Sequence, residues 1–224
     1  PTSDTADYRV RIFTPERELP FAGHPTLGSC HVWLNSGGRA ANPDRIVQEC
    51  KGGLIPIKRD GERLAFAAPP LLKTGAVDET VLATIANGLG IALDAITQSQ
   101  WIDNGPGWVA VMLASRDEVL AIKPDYPKLK GLKLGVIAPW PDGDNAQFEV
   151  RAFVSTLANE DPVTGSLNAG LAQWLIGAGL APASYVASQG TALGRSGRVH
   201  VQRDGNDIWI GGNVVMCIEG TAHI

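Results

Sequence analysis

Two short segments of the sequence contain side chains suited to acid–base chemistry. Residues 23–29 read Gly-His-Pro-Thr-Leu-Gly-Ser, and residues 160–166 read Glu-Asp-Pro-Val-Thr-Gly-Ser. At a common spacing of 137 residues, proline aligns with proline, glycine with glycine and serine with serine, and His24 is paired with Asp161. A histidine and an aspartate that face one cleft could orient a substrate and transfer protons. His24 and Asp161 are therefore candidate catalytic residues.

The Gly-Ser pair that ends each segment precedes an apolar helical pattern. A helix that begins at such a turn has unpaired backbone N–H groups at its N-terminus, where the helix dipole favours negative charge. We expect these turns to bind a carboxylate or a phosphate, with Ser166 donating a hydrogen bond and Gly165 allowing close approach. The alternative is structural, because Asp161 and Ser166 are also suitable caps of a helix start.

Several classes of site are disfavoured by the motifs that the sequence lacks. No GxSxG surrounds Ser166, as a serine hydrolase would require, and no GxxxxGK[ST] phosphate loop is present. The histidines have neither HExxH nor Cys-His ligand spacing, so we expect no metal; they are His24, His31, His200 and His223.

Net charge and composition limit the kinds of binding partner and the cellular compartment that we expect. A net charge of −4 gives no electrostatic reason to expect nucleic acid or an anionic membrane surface. No apolar run reaches the roughly 20 residues of a membrane helix, and the first residues do not resemble a signal peptide. Three cysteines, without a CxxC pair, favour a reducing compartment. We expect a cytoplasmic protein, with Cys30 buried rather than reactive.

The elements around the two segments also repeat. Val-Arg-Ile-Phe at residues 10–13 corresponds to Val-Arg-Ala-Phe at 150–153, and an Arg-Asp-Gly turn at 59–61 corresponds to another at 203–205. Asp-Gly pairs between apolar runs predict β-hairpins, since glycine accepts the positive φ of tight turns. We predict an α+β fold of two duplicated domains, comprising residues 1–107 and residues 108–224, with a cleft between them.

The periodicity of apolar residues predicts the following elements. Helices are expected at 30–35, 79–91, 117–122 and 167–176, and strands at 8–13, 53–57, 64–67, 108–113, 150–153, 199–202 and 208–210. The second repeat has about forty residues between Trp108 and Phe148 ahead of its Val-Arg-Ala-Phe strand, whereas nine residues precede Val10 in the first. A strand and a helix of the first repeat are therefore expected upstream of Pro1.

The two segments, together with residues 13–28 as a whole, resemble the PhzF family of phenazine biosynthesis, which is related in fold to diaminopimelate epimerase. The resemblance implies two similar domains, each a β-barrel-like sheet wrapped around a central helix, and usually a homodimer. It also implies isomerisation of a small cyclic or amino carboxylic acid by proton transfer, without a cofactor.

The resemblance assigns roles to individual residues. His24, Asp161 and Ser166 match the family's active-site histidine, aspartate and serine. The surrounding backbone would contact the substrate; these residues are Gly23, Gly28, Ser29, Thr164 and Gly165. The family's principal proton carrier is a glutamate whose segment would precede Pro1, and neither Glu18 nor Glu160 occupies its position.

Three alternatives remain open at this point. Without the proton-carrying glutamate, the chain would be a non-catalytic binder of small molecules or an inactive fragment. A racemase or epimerase of the same fold would use paired cysteines, but the counterpart of Cys30 in the second repeat is Leu167. A scaffold protein would instead have an exposed apolar patch and a poorly formed cleft.

Overall fold

The computed structural model describes residues 1–14, 17–141 and 145–220. The fold is mixed α+β, as predicted, and the chain forms two compact units. Unit 1 comprises Pro1–Ala67 and the described part of Gly211–Ile224, and unit 2 comprises Ala68–Ile210. The predicted repeats, 1–107 and 108–224, concern the duplication of the chain. Compact units do not test a duplication, so the repeats stay a prediction.

The helices and strands have the following bounds. The helices are α1 (Gly23–Asn35), α2 (Glu79–Leu89), α3 (Arg116–Ala121) and α4 (Gly165–Gly177). The strands are β1 (Tyr8–Arg9), β2 (Ile12–Phe13), β3 (Glu18–Leu19), β4 (Ile46–Cys50), β5 (Gly53–Asp60), β6 (Arg63–Ala67), β7 (Lys73–Gly75), β8 (Gln98–Asp103), β9 (Trp108–Met112), β10 (Lys133–Pro139), β11 (Phe148–Val154), β12 (Asn159–Asp161), β13 (Ser184–Gln189), β14 (Gly197–Asp204) and β15 (Asp207–Gly212). Within these described residues, no helix combines the length and the apolar character needed to cross a membrane.

Unit 1 contains a sheet in the order β1-β4-β5-β6 and a separate hairpin formed by β2 and β3. Strands β1 and β4 are parallel, while β4, β5 and β6 follow one another in antiparallel pairs. The predicted strand at 8–13 is thus divided, and its second part turns away to pair with β3.

Unit 2 has a larger sheet in the order β15-β14-β13-β11-β10-β9-β8-β7, with the short β12 paired to β11. Strands β9 and β10 are parallel, and α3 provides the crossover that parallel neighbours require. Helices α2 and α3 pack on one face over a core of large apolar side chains, which includes Ile85, Val111, Leu134, Val136 and Phe153.

The two predicted Arg-Asp-Gly hairpins are confirmed. β5 and β6 are joined by a turn at Gly61, and β14 and β15 by a turn at Gly205. The glycines have φ values of 60° and 59°, which a side chain would disfavour. These turns are predictable from the sequence because the positive φ that they require concerns a single residue.

Helix α1 begins seven residues earlier than predicted. It starts at Gly23, so His24 and Pro25 lie in its first turn and the Gly28-Ser29 pair lies inside the helix. The prediction of a turn at Gly28 is therefore wrong. The physical reason is that a proline in the first turn lacks only an N–H group that would have no partner within the helix.

The helix starts change the correspondence between the two segments. α1 and α4 both have 13 residues, and aligning their first residues gives a spacing of 142 (Gly23 to Gly165) rather than 137. His24 then corresponds to Ser166, not to Asp161. Asp161 lies in the hairpin before α4, paired with Ala152, in the position that Leu19 has in unit 1.

Helix α4 is the central helix of unit 2. Its buried residues run almost without interruption from Leu167 to Leu175, so it is enclosed on all sides rather than on one stripe. Small residues permit this packing: a Cβ atom on Gly170 would lie 2.5 Å from the carbonyl oxygen of Ile102. The first turn of α4 is consequently held rigidly against the strands around it.

Candidate functional site

The N-terminus of α4 has no side-chain cap. Thr164 occupies the N-cap position, where a threonine hydroxyl normally accepts a hydrogen bond from the first turn. Here the Thr164 hydroxyl instead donates to Oδ2 of Asp161, at 2.7 Å. No acidic residue lies in the first turn either. The backbone N–H groups of Gly165 and Ser166 are therefore available to an anion, in the field of the helix dipole.

Gln189, at the end of β13, holds Thr164 in this orientation. The Gln189 side chain is fully buried. Its Nε2 donates to the Thr164 hydroxyl (3.0 Å) and to the Asp161 carbonyl (2.9 Å), while its Oε1 accepts from the Thr164 N–H (3.1 Å) and from Asn168 (2.8 Å). These bonds join β12, β13 and α4 into one network. The Thr164 hydroxyl can thus accept from Gln189 while donating to Asp161.

The Asp161 carboxylate is half-buried at the edge of this network. One oxygen accepts from Thr164, and within the described part of the chain the other, Oδ1, has no hydrogen-bond partner. The carboxylate is therefore fixed in orientation with one oxygen open to a ligand. Such a group is suited to accept or return a proton.

Ser166 is held by two side chains from the loop before β9 and from β9 itself. The indole Nε1–H of Trp108 donates to the Ser166 hydroxyl at 2.9 Å, and Nδ2 of Asn104 donates to the Ser166 carbonyl at 2.8 Å. Trp108 is also packed in the interior, since it is 3% exposed.

Helix α1 has a similarly open start in unit 1. Its N-cap is Ala22, whose methyl side chain cannot cap, and its first turn contains no acidic residue. Gly23 is buried and His24 is exposed at this end. Thr26 is buried and accepts a hydrogen bond from Gln48 at 3.0 Å, so a glutamine braces α1 much as Gln189 braces α4.

Gly28 and Ser29 lie away from the start of α1, and their predicted contacts with the substrate stay predictions. They are in the interior of α1, where backbone N–H groups bond to carbonyls four residues earlier. The helix start in this segment, with its uncapped backbone N–H groups, is instead at Gly23 and His24. A contact between the substrate and the side chain of Ser29 remains a prediction.

Three further residues near the segments are not available as a base or a nucleophile. Glu18 and Glu160 each form a bidentate ion pair with an arginine, Arg11 and Arg151 respectively, which leaves neither glutamate free as a base. Cys30 is fully buried, as predicted, and its burial raises the pKa of the thiol. A raised thiol pKa disfavours the thiolate that a nucleophile requires.

The structure brings Asp161, Thr164, Gly165 and Ser166 together at the start of α4, while Gly23 and His24 lie at the start of α1. Across the described ranges, no group of three His, Cys, Asp or Glu residues could hold a metal ion; His223 lies outside those ranges. Sequence reasoning missed Gln189 and Asn168. Asn168 could have been found, because it is a polar residue within the mostly apolar helix α4. Gln189 follows Ser188 in a strand of mixed polarity and has no such signal.

Comparison with known proteins identifies similar chains. The sequence profile of the family described as phenazine biosynthesis-like protein matches residues 1–220. Antisense-enhancing sequence 1 of Schizosaccharomyces pombe is 35% identical over 245 residues, covering 100% of this chain and 82% of that protein. Trans-2,3-dihydro-3-hydroxyanthranilate isomerase of Pseudomonas aeruginosa is 28% identical, covering 97% and 80%. A crystal structure of a PhzF family protein from Enterococcus faecalis has a TM-score of 0.76 at 26% identity, covering 96% and 78%.

Proposed function

The chain belongs to the phenazine biosynthesis-like protein family, and on this premise we propose that it is an isomerase that moves a proton within a small cyclic or amino carboxylic acid. The proposed reaction uses side-chain acids and bases and no cofactor. Support comes from the isomerase named among its relatives and from the acid–base groups at the start of α4.

The open N-terminus of α4 is the observation that carries this proposal. Because Thr164 donates to Asp161 instead of capping the helix, the N–H groups of Gly165 and Ser166 can bind a substrate carboxylate. The Ser166 hydroxyl supplies a further donor beside them. This seat would place the substrate within reach of Asp161, three residues before Thr164 in the chain.

Asp161 and His24 are the proposed acid–base residues of this chain. Asp161 has one carboxylate oxygen fixed by Thr164, so its other oxygen is oriented before the substrate arrives. His24 presents an exposed imidazole at the uncapped start of α1 and is proposed to hold or polarise the reacting atoms. A positioned acid–base group contributes about a hundred- to ten-thousand-fold to the rate.

The larger organisation is part of the same proposal. We propose that the chain arose by duplication, with 1–107 and 108–224 as the repeats, and that the substrate binds between them. The matching local structures of the hairpins and helices support the duplication. We also propose that the protein is cytoplasmic and that it forms a homodimer. Sedimentation of the purified protein would test the homodimer.

The test is an isomerisation assay in D2O with trans-2,3-dihydro-3-hydroxyanthranilate as the first probe, followed by proton NMR. We expect the parent protein to convert the probe with incorporation of deuterium. Asp161→Asn should lower kcat by about a hundredfold or more, because it removes the base. Ser166→Ala should chiefly raise KM, because it removes a contact made before the reaction as well as during it.

Asp94→Asn is the matched control, since Asp94 is an exposed carboxylate outside the site. It should leave both constants unchanged. Conversion by Asp161→Asn at the parent's rate would contradict the assignment of Asp161. If the parent protein neither converts the probe nor binds anthranilate, the proposed substrate class is contradicted.

A further inference from the structure

The hydroxyl group of Ser166 has a fixed direction of hydrogen bonding. Its partner is the indole Nε1–H of Trp108, at 2.9 Å. Indole has a donor and no acceptor nitrogen, so the Ser166 oxygen must accept this bond. The hydroxyl hydrogen of Ser166 then has to be donated to another group.

That hydrogen has no acceptor among residues 1–14, 17–141 and 145–220. A serine in a helix commonly donates to the carbonyl four residues earlier, which here belongs to Pro162. Ser166 makes no such bond, and within the described residues its hydroxyl oxygen bonds only with Trp108. The hydrogen is therefore free to be donated to a ligand at the start of α4.

A second set of contacts fixes the position of Ser166 itself. Asn104 donates to the Ser166 carbonyl at 2.8 Å. The loop that contains Asn104 is ordered by Asp103, whose Oδ1 accepts from the N–H groups of Gly105 (2.7 Å) and Gly107 (2.6 Å). The φ values of these glycines, 129° and 92°, are ones that other residues rarely adopt.

We propose that Trp108 is a positioning residue that makes Ser166 an obligatory hydrogen-bond donor toward the substrate carboxylate, with Asn104 holding the first turn of α4 in place. This inference rests on the proposed function, in which the carboxylate binds at that turn. It adds a source of specificity: the single hydroxyl hydrogen of Ser166 is left for the ligand, and a carboxylate oxygen can accept it whereas a group that can only donate cannot.

A double-mutant cycle on Trp108 and Ser166 tests the proposal, with anthranilate as the probe and its dissociation constant measured by calorimetry. Trp108→Phe keeps an aromatic ring but removes the N–H donor. It should weaken binding by about two- to tenfold, the range for a neutral hydrogen bond. In the Ser166→Ala background the same change should have no further effect, because Trp108 acts through the missing hydroxyl.

Trp101→Phe is the matched control. Trp101 lies in the neighbouring strand β8 and packs against the core of unit 2 without bonding to Ser166. It should leave the dissociation constant unchanged in both backgrounds. Equal weakening by Trp108→Phe with and without the Ser166 hydroxyl would overturn the proposal, because it would show an effect of packing alone.

A measurement without ligand separates this inference from the proposed function. The indole N–H of Trp108 should exchange with solvent faster in Ser166→Ala than in the parent, as followed by NMR. An unchanged exchange rate would overturn the positioning role. A second outcome separates the two proposals: exchange accelerates, but anthranilate binds equally well to the parent and to Ser166→Ala. The hydrogen bond between Trp108 and Ser166 would then be established. The proposed carboxylate site would be contradicted, and with it the proposal that Trp108 acts on a bound carboxylate.

Discussion

The Arg11–Glu18 pair of unit 1 and the Arg151–Glu160 pair of unit 2 have the same geometry in different surroundings. In both, Nε and one terminal nitrogen of the arginine bond to the two carboxylate oxygens at 2.7–3.0 Å. In both, the guanidinium also lies over a phenylalanine ring two residues later, at 4.7 Å and 4.8 Å. The local sequence Val-Arg-x-Phe thus produces one side-chain arrangement twice.

The two pairs differ in what covers them. The Arg151 and Glu160 side chains are 6% and 5% exposed, whereas Arg11 is 59% exposed and Glu18 is 19% exposed. Arg151 additionally donates to the carbonyls of Val119 and Ile122, at the C-terminal end of α3. The Arg151–Glu160 pair is therefore buried and also caps the end of α3, whereas the Arg11–Glu18 pair lies at the surface.

The contribution of these ion pairs to stability depends on how far the tertiary structure buries them, because their own geometry is the same. A surface pair gains little because water and salt screen it. A buried pair gains little net stability when both partners are present, but losing one partner leaves an unpaired charge in the interior. Substitutions at corresponding residues should therefore have very different effects.

The largest expected effect is that of Arg151→Ala. It leaves the Glu160 carboxylate buried without its partner and uncaps α3, which should cost about 3–5 kcal/mol in the free energy of unfolding. Arg11→Ala, in the corresponding position, should lower that free energy far less. Urea denaturation of both variants measures the difference.

Removal of both partners sharpens this test. Arg151→Met combined with Glu160→Leu leaves no buried charge, so the double variant should be more stable than Arg151→Ala alone. Equal destabilisation by Arg11→Ala and Arg151→Ala would show that coverage does not decide the energy of these pairs.

The second pair of substitutions compares the two helices. Gly28 and Gly170 are the sixth residues of α1 and α4. A Cβ atom on Gly28 would meet nothing within 4 Å, whereas one on Gly170 would lie 2.5 Å from the Ile102 carbonyl oxygen. Gly28→Ala should stabilise the protein by about 0.5–1 kcal/mol through helix propensity, and Gly170→Ala should destabilise it by about 1–3 kcal/mol through overpacking.

Thermal unfolding of the two variants measures these changes in stability, which should have opposite signs. The same sign for both would contradict the difference in packing around α1 and α4. Because Gly28 is also a predicted substrate contact, anthranilate binding by Gly28→Ala tests that prediction in the same preparation.

The smallest expected effect is the pH dependence of the exposed pair. The hydrogen bonds from Arg11 hold the pKa of Glu18 below its ordinary value of 4.5. A folded-state pKa below the unfolded one means that the stabilisation is present above about pH 4.5 and is lost as the pH falls through the folded-state pKa. In Arg11→Ala, NMR titration should show the Glu18 pKa rising toward 4.5; an unchanged pKa would mean that the pair does not persist in solution.

Local features were predicted correctly from the sequence where one residue type satisfies one backbone requirement. The hairpins at Gly61 and Gly205 are examples, and α3 at Arg116–Ala121 lies within one residue of its predicted bounds. The start of α1 was not predicted, because proline is compatible both with a turn and with the first turn of a helix. Only the chain around it selects between them.

Part of the candidate site was also predictable. The residue types of Asp161, Gly165 and Ser166 indicated acid–base and anion-binding chemistry before their positions were known. The direction of the Thr164 hydroxyl was not predictable, because it depends on Gln189, which lies 25 residues later in β13. The orientation of Ser166 depends similarly on Trp108, which is 58 residues away in the chain.

The amino-acid sequence is sufficient to predict the hairpin turns, the repeated Val-Arg-x-Phe segments and the acid, hydroxyl and glycine groups at the start of α4. These follow from preferences that act over a few residues. Long-range packing is what buries Arg151 while Arg11 stays exposed, and what directs the Thr164 hydroxyl to Asp161 instead of to its own helix. Burial and hydrogen-bond partners come from distant segments, and their energies exist only once those segments have packed together.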